Sequence, residues 1–107
     1  MNKKKVGLFF GTFDPIHNGH LKIAEYIIEE KLNDEVWLVV TPENPLKQEN
    51  KISNFMHRFS MVNIATKNYD NIMPSDLELN LQKPNYTIDT LEYISNKLQE
   101  IEFSLII

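Results

Sequence analysis

Residues 11–20 read GTFDPIHNGH and hold two of the chain's three glycines and two of its three histidines. His17 and His20 are three apart, a spacing that places both imidazoles on one side of a first helical turn, over its N–H groups. Free N–H groups and the positive end of a helix dipole form an anion site, and charge on the two rings would add to it. Gly11 lets a ligand approach the backbone with no Cβ in the way. Gly19 costs helix stability and is explained by something lying close to the helix end. A phosphate fits such a place. Zinc does not: it needs three or four ligands and a positive helix end opposes a cation, while the chain contains no cysteine. Either histidine alone reads as a cap or a packing residue. Together with Gly11, Asp14, Pro15 and Gly19 they read as a binding and catalytic cluster with no metal held by the protein. His57, without glycines around it, reads as a surface or packing residue.

The elements around this cluster must hold it at the edge of a sheet. Val6 to Phe10 and Glu35 to Val40 are short apolar runs rich in β-branched and aromatic residues, the pattern of strands buried on both faces. Between them Leu21, Ala24, Ile27 and Ile28 recur at helical spacing, with Lys22, Glu25, Glu29 and Glu30 opposite, giving a βαβ unit with its helix starting near Asn18 or Gly19. A second helix is predicted from an N-cap at Ser53 or Asn54, with Phe55, Phe59 and Val62 as its stripe. A third strand falls in NIMPSDLEL, where Pro74 confines it to an edge or a short length. A third helix follows with Thr87 as N-cap, Asp89 in its first turn and Leu91, Ile94 and Leu98 as its stripe. EFSLII closes the chain as a fourth, apolar strand. The order βαβαβαβ predicts an α/β fold, a Rossmann-like doubly wound parallel sheet with helices on both faces. In such a sheet the loop after the first strand, GTFDP, lies at the ligand-binding rim.

The chain has 107 residues, which bounds it to one domain. Its net charge of −4 argues against a nucleic-acid partner. The basic opening followed by about five apolar residues is too short for a signal sequence, and no run approaches the ~20 apolar residues of a membrane span. Absence of cysteine is compatible with a cytoplasmic protein.

GTFDPIHNGHL resembles the (H/T)xGH signature of the nucleotidylyltransferase superfamily. TPENPLK (Thr41 to Lys47) and EL…KPNYTIDTL (Glu78 to Leu91) are similar to the acceptor-side segments of the bacterial nicotinate-nucleotide adenylyltransferases. The likeness runs over essentially the whole chain. It implies adenylyl transfer from ATP to nicotinate mononucleotide, with release of pyrophosphate, in NAD synthesis. His17 and His20 would contact ATP phosphates, His20 being the stronger candidate for stabilising the transition state. Gly11, Thr12 and Phe13 would offer loop N–H groups, and Gly19 would belong to the same ATP site. Thr12 and Lys47 would meet the acceptor phosphate, Thr87 the nicotinate carboxylate, and Tyr86 would support it. Lys47 also reads as a solvated loop lysine and Thr87 as a cap alone. Asp14 has no assigned role, and Arg58 reads as a phosphate ligand or a solvent-facing residue. Mg²⁺ would accompany ATP, with no recognisable set of protein ligands.

The sequence departs from the family at Asn85, where Ser usually precedes Tyr-Thr. The family's glycine-and-aspartate loop, its stacking aromatic and its C-terminal Ser/Thr-Arg motif do not appear. A fourth strand of buried type with nothing after it reads as a truncation, so the isolated chain is expected to bind ATP weakly and turn over poorly. Its apolar edge would seek a partner, which leaves a homo-oligomer open. Another branch of the superfamily, pantetheine-phosphate adenylyltransferase or a cytidylyltransferase, would keep the first motif and lose NYTIDTL. A non-catalytic nucleotide-binding half-domain is the alternative of a different class.

Overall fold

Four parallel strands form the single sheet of the computed structural model, which describes residues 3–42, 54–80 and 87–106, with backbone alone at 80, 87 and 88. The strands are β1 (Lys4–Gly11), β2 (Glu35–Val40), β3 (Ile72–Ser75) and β4 (Ile101–Leu105), and the helices α1 (Asn18–Glu29), α2 (Phe55–Ala65) and α3 (Thr87–Lys97). A short 3-10 turn, Leu77–Asn80, follows β3.

The spatial order is β3-β2-β1-β4. The chain builds outward from β1 through β2 to β3, then crosses back to place β4 on the other side of β1. That reversal is the doubly wound arrangement, in which ligands ordinarily bind beyond the carboxyl ends of the strands where the order reverses, here β1 and β4. The register Gly11↔Val40 brings the ends of β1 and β2 level, so the loops leaving them start side by side.

Side chains alternate between the two faces of each strand, and two cores result. Val36, Leu38 and Val40 of β2 pack with Ala24 and Ile27 of α1 and with Phe55 and Val62 of α2. On the opposite face Val6 and Leu8 of β1 and Val39 of β2 pack with Ile94 of α3, flanked by Leu91 and Leu98. α1 and α2 thus cover one face and α3 the other, as the apolar stripes predict.

Three local expectations are adjusted. β1 begins at Lys4, upstream of the apolar run, because Lys4 and Lys5 pair with Ile101 and Glu102 of β4. β4 was expected to be buried on both faces, yet it is the sheet's edge, with Glu102, Ser104 and Leu105 exposed. α3 includes Thr87 as its first residue, one position earlier than an N-cap at Thr87 implies. Pro74 does lie on an edge strand, where its missing N–H costs no ladder bond; it pairs with Leu38. The N-cap of α2 is Asn54, whose Oδ1 accepts from the His57 N–H at 2.8 Å.

Candidate functional site

The loop from Thr12 to Ile16 leaves the carboxyl end of β1 and delivers the chain to α1. Phe13 turns it. Its φ of 50° lies in the left-handed region, and its ring is driven back into the core, where it is 2% exposed. The ring meets Phe9 edge-on at 5.7 Å and His20 at 4.9 Å between centroids. Gly11 serves this ring: a Cβ there would lie 3.0 Å from Phe13 Cζ. The space that sequence reasoning reserved for a ligand at Gly11 is filled by the chain's own aromatic ring. A loop N–H from Phe13 is compatible with this burial, whereas a ligand contact by its ring is not.

His17 is the N-cap of α1, a position that ordinarily takes Ser, Thr, Asp or Asn. Its Nδ1 accepts from the Gly19 N–H at 3.0 Å, and His20 Nδ1 accepts from the His17 N–H at 3.1 Å. The two histidines form a reciprocal capping box. Their rings stack with centroids 3.8 Å apart. Gly19 makes the stack possible, since a Cβ there would lie 2.9 Å from His17 Cε1. What comes close to the helix end at Gly19 is therefore the cap itself.

This geometry revises the electrostatics. A ring nitrogen that accepts a hydrogen bond carries no proton, so the proton of each neutral ring sits on Nε2. Burial, and then the neighbouring His17, hold the His20 pKa below the ordinary histidine value. Both Nδ1 atoms are engaged within the cap, so the donor that His20 has left for an anion is its Nε2–H. The N–H groups of His17, Gly19 and His20 are already bonded, so the helix start is less bare than the spacing alone suggests. Since the folded-state pKa of His20 lies below its unfolded value, its contribution to stability is full above the ordinary histidine range and is lost as pH falls through the lowered value.

Arg58 neither faces solvent nor stands as a free phosphate ligand. It is fully buried in α2. Its Nη1 donates to the Thr12 carbonyl at 2.9 Å and to the Thr41 carbonyl at 2.7 Å. Thr41 in turn donates its N–H to the Gly11 carbonyl at 2.9 Å. The chain ends leaving β1 and β2 are thereby tied together beneath the exposed Thr12. The signal was available: position 58 lies between Phe55 and Val62 on the apolar stripe, where a charged residue needs buried partners.

Glu78 is a second group that sequence reasoning missed. It is 4% exposed in the 3-10 turn, and its Oε2 accepts from the Thr90 hydroxyl of α3 at 2.9 Å. Burial raises its pKa, and the Thr90 bond works in the opposite direction. Thr87 opens α3 on this side of the fold, while Lys47 and Tyr86 lie outside the described residues. His57 is exposed on α2, as a surface residue should be. Among the described residues, no group of three or more His, Cys, Asp or Glu side chains could hold a metal ion, and no helix is long and apolar enough to cross a membrane.

The chain is similar to known proteins in sequence and fold. A relative from Flavobacterium psychrophilum, named a probable nicotinate-nucleotide adenylyltransferase, is 49% identical over 102 residues, which cover 95% of this chain and 53% of the relative. One from Bacteroides fragilis with the same name is 43% identical over 107 residues, again 53% of its own length. The chain thus spans about half the length of the curated relatives it matches. A solved structure of Plasmodium falciparum nicotinic acid mononucleotide adenylyltransferase complexed with NaAD superimposes with a TM-score of 0.76, covering 95% of this chain and 50% of that one at 22% identity. That likeness carries the fold. The sequence profile of the cytidylyltransferase-like family matches residues 8–102, from the middle of β1 into β4 and so across the whole of the rim just described; the chain belongs to that family.

Proposed function

We propose that the protein transfers the adenylyl group of ATP to nicotinate mononucleotide, yielding nicotinate adenine dinucleotide and pyrophosphate. The observation that carries this reading is the stacked His17–His20 pair, which closes a capping box through Nδ1 at the start of α1; the reading assigns the Nε2 atoms of the two rings to a polyphosphate. The names of the relatives support the choice of nucleotides.

In the proposed reaction an oxygen of the acceptor phosphate attacks the α-phosphorus of ATP. The bond from that phosphorus to the bridging oxygen breaks, and its electron pair leaves with pyrophosphate. The attacking oxygen is already anionic near neutral pH, so no general base is needed. The protein's task is positioning and stabilising charge on the α-phosphoryl and leaving oxygens. His20, held edge-on against Phe13, is assigned to the α-phosphoryl oxygens, and His17 to the neighbouring phosphates. Gly11 and Gly19 act indirectly, by giving room to Phe13 and His17. Thr12 and the Phe13 N–H complete the loop side. Lys47, Tyr86 and Thr87 are assigned to the acceptor from the family resemblance. Mg²⁺ is assigned to the triphosphate itself from the family resemblance, and no step is routed through it. The setting proposed is the cytoplasm, with nucleotide partners and no nucleic acid.

The acceptor decides the test. The protein from the complete reading frame should use nicotinate mononucleotide in preference to its amide analogue, because hydroxyl and N–H donors at the start of α3 suit a carboxylate. Adenylylation rates of the two acceptors, compared at equal concentration, check this. Equal or better use of the amide would remove Thr87 from its assigned role.

A further inference from the structure

Arg58 has no place in the chemistry above, yet it is a fully buried charge touching the loop that the chemistry needs. The carboxyl ends of parallel strands present carbonyl oxygens toward the rim. Left bare, the oxygens of Thr12 and Thr41 would repel an arriving phosphate. Nη1 of Arg58 engages both of them. The Phe55 ring lies beside the guanidinium, 5.9 Å from its carbon to the ring centroid.

The Thr12 carbonyl shares its peptide unit with the Phe13 N–H. In a trans peptide the C=O and N–H bonds point in opposite directions, and the one cis bond among the described residues is Asp14–Pro15. With the carbonyl turned down onto Arg58, the Phe13 N–H points away from the guanidinium. A charge-assisted bond at the oxygen also polarises the amide and strengthens its N–H as a donor.

We propose that Arg58 is a positioning residue that orients and polarises the Thr12–Phe13 peptide, so that the loop after β1 receives a phosphate anion. It touches no substrate and acts through the backbone. This rests on the reading of the rim as a polyphosphate site, but not on the identity of the acceptor.

The test compares wild-type protein from the complete reading frame with Arg58→Lys and Arg58→Met, titrated with ATP, pyrophosphate and adenosine, alongside thermal unfolding. Lysine keeps the charge but lacks the planar fork. Affinity for ATP and pyrophosphate per folded molecule should fall about tenfold or more in both variants, the loss expected when charge-assisted bonds are removed. Adenosine, which has no phosphate, should bind within about twofold of wild type, well below that tenfold step. Unchanged ATP affinity in the folded variants would overturn the proposal, as would a parallel loss for adenosine. A readout on wild-type protein covers the case in which neither variant folds: the Phe13 amide proton resonance should move on addition of pyrophosphate and stay in place with adenosine. An amide indifferent to pyrophosphate refutes the assignment. Wild-type protein that binds ATP and pyrophosphate but transfers no adenylyl group would refute the proposed reaction and leave this inference standing.

Discussion

Replacing His20 with alanine in the protein from the complete reading frame should lower turnover by ~10²-fold or more, the loss typical of removing one preorganised donor from a charge-stabilising site. Two effects must be separated, because His20 is also half of the capping box. Loss of a cap costs about 1 kcal/mol of folding stability. A domain with 5 kcal/mol or more in hand remains almost entirely folded after that loss, so the cap alone cannot account for a hundredfold fall. Turnover measured beside a denaturant unfolding curve separates the two. Near-normal turnover with reduced stability would make His20 a cap and nothing more.

Phe13→Ala should destabilise the fold by about 3–5 kcal/mol, the range for emptying a buried aromatic site. The ring is 2% exposed and stands between Phe9 and His20. Its removal leaves Gly11 facing a void and takes away the surface against which His20 is seated. Activity should fall further than the folded fraction does, because His20 loses its support. Phe13→Leu should recover most of the stability. Urea unfolding of both variants is the check, and a cost below about 1 kcal/mol for the alanine variant is incompatible with a core site of this burial.

These predictions rest on features of unequal visibility. The βαβ unit is plain in the sequence, since Val6 to Phe10 and Glu35 to Val40 are continuous apolar runs and α1 has a clean stripe. β3 at an edge follows from Pro74. The cluster from Gly11 to His20 stands out as a candidate site through its residue types. What its glycines do is not, because Gly11 and Gly19 make room for Phe13 and His17, and a glycine looks the same whether its neighbour is a ligand or a ring two residues along the chain. The Nδ1 bonds that close the cap depend on ring orientation, which spacing does not encode. The partners of Arg58 and Glu78 are hidden for a related reason. The stripe through Phe55 and Val62 marks position 58 as buried, but the groups that satisfy the two side chains, two backbone carbonyls and the Thr90 hydroxyl, lie far away in sequence or on another element. β4 reads as buried because its residues are apolar, but its edge position is set by the crossover that places it beside β1.

The most direct measurement follows the α-phosphorus. The protein from the complete reading frame is incubated with ATP labelled at the α-phosphate and with nicotinate mononucleotide, and the products are separated and counted. The label should appear in nicotinate adenine dinucleotide, with one pyrophosphate released for each dinucleotide formed and no comparable transfer when CTP replaces ATP. Label remaining in ATP, label released as free AMP, or transfer from CTP in preference to ATP would contradict the account.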